Sequence, residues 1–63
     1  MSAAKQIAVR VDGDHIDIWV AKTGGVTWRA WGEFRGKHID ANGSSQSNAT
    51  DKWQEKADYM AKE

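Results

Sequence analysis

Two stretches near the start of the chain, residues 5–11 and 15–22, alternate between apolar and polar side chains. A period of two is typical of half-buried β-strands. Asp12-Gly13 lies between them and is a favoured two-residue hairpin turn, because both positions tolerate a positive φ. Such a turn pairs Val9 with Ile16, so the apolar rows of both strands fall on the same face of the predicted sheet.

A third alternating stretch covers residues 26–35 and follows Thr23-Gly24-Gly25. A three-residue loop there, with glycine in the left-handed region, sets Val20 beside Trp28. It also sets Trp19 opposite Arg29. In this register the apolar face gains Val26, Trp28, Ala30 and Phe34. A two-residue loop would instead turn the strand over, because side chains alternate between the two faces.

The last part of the chain changes from the period of a strand to the period of a helix. A turn at Arg35-Gly36-Lys37 leads into a short fourth strand, residues 38–42, and a helix is predicted over residues 46–62. One stripe along that helix is apolar. Its members are Ala49, Trp53, Ala57 and Met60. Ser45 is the preferred N-cap, and Asn48 is a competing cap.

The pattern therefore predicts an α+β fold within one small domain, residues 1–63. A three- to four-stranded antiparallel meander sheet would carry one C-terminal helix packed on one face. The composition agrees, since the 63 residues contain no Leu, which argues against a helical bundle, and are rich in Val, Ile and Trp, which suit strands.

Composition and charge exclude several classes of protein. The chain has no Cys, which excludes a disulfide-stapled mini-protein and a cysteine-based zinc finger. Nine Lys and Arg balance nine Asp and Glu, so a strongly basic nucleic-acid binder is not indicated. We find no signal-peptide pattern and no apolar run of membrane-spanning length, and therefore expect a cytoplasmic protein that does not enter a membrane.

Catalytic and ligand-binding patterns are weak in this sequence. Its histidines, His15 and His38, lie near predicted turns at a spacing that fits no metal motif. The serines around Ser45 lie in a helix cap, without the G-x-S-x-G turn of a serine hydrolase. We therefore expect no enzyme activity, no cofactor, no metal and no small-molecule substrate.

The most informative residues lie on the predicted sheet face opposite the helix. Trp19 and Trp31 share that face with Arg10 and Arg29, and Arg35 lies at the strand end. One interpretation is cross-strand packing alone. A second is a surface for a protein partner or a second copy. A third is a nucleic-acid surface, because aromatic residues stack on bases and arginines hold phosphates.

Two family resemblances bear on the third interpretation. Trp31-Gly32-Glu33-Phe34, in a strand followed by another strand and an amphipathic helix, is similar to the plant ethylene-response DNA-binding domain and to integrase N-terminal domains. That resemblance implies a sheet laid in the major groove, with Arg29, Trp31 and Arg35 as contacting residues. The stretch from Gly36 to Ser45, with the following Ala-rich helix, resembles the second half of a double-stranded-RNA-binding domain.

Taken together, the residues predict a small binding module that uses the exposed sheet face for protein interaction or homodimerisation. The predicted partner-binding residues are Trp19, Trp31, Arg10, Arg29 and Arg35. The alternative function is DNA or RNA binding through the Arg and Trp residues of the same face.

Overall fold

The computed structural model describes residues 4–62, which form four strands and one helix in an α+β arrangement. The elements are β1 (Lys5–Val11), β2 (Asp14–Lys22), β3 (Trp28–Phe34), β4 (Lys37–Gly43) and α1 (Gln46–Ala61). The strands form one antiparallel sheet in the order β1-β2-β3-β4, and α1 packs on it. The predicted fold class is confirmed; residues 1–3 and 63 of the predicted domain lie outside the described residues.

The hairpin of β1 and β2 has the predicted register. Val9 pairs with Ile16 and Ile7 with Ile18. At the turn, Asp12 has a φ of 53° and Gly13 a φ of 83°. Two consecutive residues with positive φ form the turn whose twist matches that of the flanking strands, which is why Asp-Gly sets this register.

The predicted register of β2 against β3 is wrong by two residues. Lys22 pairs with Trp28, so the loop between the strands has five residues, 23–27, and not three. The carbonyl of Thr27 accepts hydrogen bonds from the backbone N–H of Thr23, at 2.9 Å, and of Gly24, at 3.3 Å, which closes the longer loop. Val26 was predicted to face the core, but it belongs to this loop and is 77% exposed.

The shift changes which residues are neighbours across the sheet but leaves each side chain on its predicted face. Because the displacement is an even number of residues, the alternation of faces is preserved. Trp28 and Ala30 therefore still lie on the helix side, where Ala30 is fully buried. Trp19, however, pairs with Trp31 and not with Arg29, so that predicted cross-strand pair is wrong.

The turn between β3 and β4 is one residue shorter than predicted. Phe34 pairs with Lys37, which leaves Arg35-Gly36 as a two-residue turn with φ values of 52° and 81°. This is the same geometry as the first turn, with arginine at the place of Asp12. The fourth strand is longer than expected, and Ile39 and Ala41 face the core as predicted.

The helix begins as the sequence predicts. Ser45 is the N-cap, with an extended backbone, and its Oγ accepts the N–H of Asn48 at 3.0 Å. Asn48 acts as the return partner and not as a competing cap, since its Oδ1 accepts the N–H of Ser44 at 3.1 Å. The two side chains thus satisfy two backbone donors at the helix start.

The core lies between the sheet and α1. It consists of Val9, Val11, Ile18, Val20, Ala30, Phe34, Ile39, Ala41, Ala49, Trp53 and Ala57. Trp53 is the largest of these side chains and is 0% exposed. Its indole Nε1 donates a hydrogen bond to the carbonyl of Ile39 at 2.8 Å, so the anchor of the helix is held both by packing and by a polar contact.

Replacing Ser45 with alanine should lower the free energy of unfolding by about 1 kcal/mol, because the N–H of Asn48 loses its side-chain acceptor. Chemical denaturation followed by far-UV circular dichroism measures the change. Ser47→Ala is the matched control, since Ser47 lies in the first turn of α1 and alanine favours a helix. Equal losses in the two variants would contradict a capping role for Ser45.

Candidate functional site

The sheet has one face covered by α1 and one face left open within residues 4–62. We call the open side the outward face and define it by the residues that alternate with the core positions. They are Gln6, Ala8, Arg10, His15, Asp17, Trp19, Ala21, Arg29, Trp31, Glu33, His38, Asp40 and Asn42.

Trp19 and Trp31 form the apolar centre of the outward face. They are directly paired across β2 and β3, and the row continues to Gln6 on β1 and to Asp40 on β4. Trp19 is 42% exposed and Trp31 is half-buried. Cross-strand neighbours have Cβ atoms about 5 Å apart, so the two side chains form one continuous apolar patch.

Arg29 is the predicted arginine that the structure brings to this patch. Its guanidinium carbon lies 5.7 Å from the centre of the Trp31 ring, a distance typical of a cation–π contact. Its Nη2 also donates a hydrogen bond to Asp40 Oδ2 at 3.1 Å. The positive charge of Arg29 is therefore held over the aromatic patch and partly neutralised there.

Charges of opposite sign lie on the two sides of the Trp pair. Arg29 precedes Trp31 by two residues on β3, and Glu33 follows it by two. On β2, Asp17 lies on the same side as Glu33, because the two strands are antiparallel. The patch thus has a cation along one border and two carboxylates along the other.

Arg10 lies on the outward face but at a distance from the Trp pair. It pairs with His15 across the first hairpin, and its Nη2 lies 3.2 Å from His15 Nε2. Gln6, the β1 neighbour of Trp19, precedes Arg10 by four residues, or about 13 Å along a strand. Arg10 therefore does not flank the indoles as the sequence predicted.

Arg35 ties the two hairpin turns together. Its Nη2 donates hydrogen bonds to Asp12 Oδ2 at 3.1 Å and to Asp14 Oδ2 at 3.2 Å. Its guanidinium carbon also lies 4.8 Å from the centre of the Phe34 ring. These contacts hold the side chain at the turns, four residues beyond Trp31, so the structure does not bring Arg35 to the aromatic patch.

The ion pairs also affect the titration of Arg35. Hydrogen bonds to Asp14 and then to Asp12 raise the pKa of the guanidinium above its ordinary value. The guanidinium therefore stays charged well above neutral pH, and its bridge between the turns does not depend on its own protonation there.

Two further features of the described residues concern ligands and membranes. Among residues 4–62, no three His, Cys, Asp or Glu side chains converge in a way that could hold a metal ion. The described part of the chain also contains no helix with the length and apolar character needed to cross a membrane.

Comparison of the chain with protein-family models, with curated proteins and with solved structures found no match. The two family resemblances drawn from the sequence therefore stay predictions, and the functional argument rests on the outward face itself.

Proposed function

We propose that this chain is a protein-binding module and that the outward face is its binding surface. The observation that carries the proposal is the pairing of Trp19 with Trp31 on the sheet face that α1 leaves open. Exposed indole area is unfavourable in water, and tryptophan is enriched among the residues that dominate protein interfaces. A partner that covers the pair removes this area from water.

The charge of the outward face supports a protein partner over a nucleic acid. Two arginines, Arg10 and Arg29, stand against three carboxylates, so with neutral histidines the face carries one net negative charge. Binding to nucleic acid depends on cations that neutralise phosphates. Here Asp40 offsets the charge of Arg29, and Arg35 is held at the turns, away from the indoles.

DNA or RNA binding is the alternative function, and one contact supports it. Arg29 lies over Trp31, and an arginine on an aromatic ring can contribute to a platform on which bases stack. The carboxylates along the other border of the patch would repel the phosphates of a nucleic-acid strand whose bases stack on these side chains. We therefore propose protein binding first.

Photo-crosslinking in the native cells tests the surface directly. Benzoylphenylalanine at Gln6, which neighbours Trp19 on the outward face, should give a protein adduct that mass spectrometry identifies as the chain itself or another protein. Adding Trp31→Thr should abolish the adduct, since it removes half of the apolar patch while keeping a residue that favours strands. The purified adduct partner should bind the Trp31→Thr chain at least roughly tenfold more weakly than the parent.

The matched control places the same crosslinker at Lys52, which is exposed on α1. Circular dichroism of each variant verifies the fold. An adduct at Gln6 that a nuclease removes would support the nucleic-acid alternative and overturn protein binding. Adduct formation that survives Trp31→Thr, or that is equal at Gln6 and Lys52, would remove the outward face as the binding surface.

A further inference from the structure

The arrangement of charges around the Trp pair has a symmetry that a partner surface must match. On β3 the outward residues follow the order Arg29, Trp31, Glu33, so a cation and an anion lie at equal distances on either side of an indole. Alternate strand residues are about 6.6 Å apart. We call the line of cross-strand neighbours Gln6, Trp19, Trp31 and Asp40 the Trp row. It runs across the strands and has opposite charges on its two sides.

Such a surface is complementary to itself under a two-fold rotation about an axis that follows the Trp row. The rotation lays β3 on β3 of a second copy in the opposite direction, so that Arg29 of each copy faces Glu33 of the other. The indoles then meet along the axis, and Asp40, which ends the same row, faces Asp40 of the other copy while each carboxylate keeps its own Arg29 partner. A two-fold interface repeats every contact, so one complementary pair gives two ion pairs.

We infer that the partner of the outward face is a second copy of this chain, packed face to face about this axis. The inference rests on the proposed protein-binding role and identifies the partner. Arg29 has enough donors to keep its bond to Asp40 while it binds Glu33 of the other copy, because a guanidinium carries five N–H groups. The face thus changes its contacts little on association.

A face-to-face two-fold axis parallel to the strands is unfavourable. It would lay β2 on β3 of the second copy and bring Asp17 over Glu33 twice, since both carboxylates lie on the same side of the Trp row. Like charges placed together across an interface oppose association. The axis that follows the Trp row sets two Arg29–Glu33 pairs against one contact between the Asp40 side chains, so the charges favour it over the axis parallel to the strands.

The size of the face sets the strength of the expected dimer. Four strands of about seven residues cover about 19 Å by about 23 Å, or roughly 400 Å² in projection. Two such faces total roughly 800 Å², which is below the roughly 1,200 Å² of stable interfaces and within the size range of weak, transient ones, so dissociation constants in the micromolar to millimolar range are expected. The chain should be monomeric when dilute and dimeric when concentrated.

Sedimentation velocity on the purified chain tests the inference between about 10 µM and about 1 mM, the range suited to an interface of this size. The parent should move from the monomer mass towards twice that mass. Arg29→Glu and Glu33→Arg should each raise the dissociation constant by roughly tenfold, because each puts two like-charged pairs into the interface. Circular dichroism verifies that both variants fold.

An equimolar mixture of Arg29→Glu with Glu33→Arg gives the decisive result. In the heterodimer every facing pair is again of opposite charge, so the mixture should associate more tightly than either variant alone. Lys52→Glu mixed with Glu55→Arg is the matched control, since these exposed helix positions give the same net charges away from the sheet. This control mixture should associate no more tightly than the parent.

Three outcomes would overturn the inference. The first is a parent chain that stays monomeric throughout the concentration range. The second is single variants that dimerise as well as the parent. The third is a mixture in which the two variants associate no more tightly than each does alone. If the chain stays monomeric but the crosslinker at Gln6 still captures a different, identified protein, the proposed function stands and the partner is that protein. Loss of both the dimer and the adduct would overturn both proposals.

Discussion

The substitution Trp53→Ala should leave this protein largely unfolded or close to its unfolding midpoint at room temperature. Trp53 is 0% exposed and is the largest fully buried side chain among the described residues. Its removal leaves a cavity between α1 and the sheet and takes away the hydrogen bond to the Ile39 carbonyl. Truncating a buried tryptophan to alanine costs about 3–5 kcal/mol.

That loss is comparable with the whole stability of so short a chain. At about 0.05–0.15 kcal/mol per residue, a domain of this length has roughly 3–9 kcal/mol in total. Denaturant titration followed by circular dichroism should therefore show a midpoint near zero denaturant for Trp53→Ala. Trp53→Phe, which keeps an aromatic ring but cannot donate to Ile39, should fall between this variant and the parent.

Tyr59→Ala is the control for Trp53→Ala on the same helix. Tyr59 is 70% exposed, so its removal should change the free energy of unfolding by less than about 0.5 kcal/mol. A Trp53→Ala chain that melts within a few degrees of the parent would show that α1 is not docked through this side chain.

Gly43→Ala is expected to have the second largest effect on stability. A Cβ atom at this position would lie 2.5 Å from the backbone N of Ala49 and 2.8 Å from its Cα. Ala49 is fully buried in the first turns of α1, so its backbone cannot move without displacing the helix start. Overpacking of this kind costs about 1–3 kcal/mol, and disturbance of the Ser45 cap adds to it.

Gly25→Ala is the matched control for Gly43→Ala. No atom lies within 4 Å of a Cβ built at Gly25, so this variant should stay within about 0.5 kcal/mol of the parent. Thermal and chemical denaturation measure both variants. Equal stabilities for Gly43→Ala and the parent would contradict the close approach of β4 to the start of α1.

The first hairpin and the helix were predictable because their signals are local. Asp12-Gly13 sets the register of β1 and β2 through the backbone preferences of two residues. The helical stripe ending at Met60 and the cap at Ser45 depend on residues within a few positions of each other. A correct prediction of these parts needs no knowledge of distant contacts.

The loop between β2 and β3 was not predictable in the same way. Thr23-Gly24-Gly25 is compatible with several loop lengths, and the closing bonds go to the Thr27 carbonyl, which no local propensity marks as an end. The error of two residues kept the faces correct but concealed the direct pairing of Trp19 with Trp31. The candidate site was therefore placed on the right face with the wrong neighbours.

The amino-acid sequence by itself determined a two-faced antiparallel sheet, a helix that covers one face and two indoles on the other. These features follow from periodicity and turn chemistry, which act over a few residues. Only the tertiary structure decided that the indoles adjoin, that Arg29 joins them and that Arg35 is held at the turns. Those facts depend on loop closure and ion pairs between residues far apart in the chain, which no short-range pattern encodes.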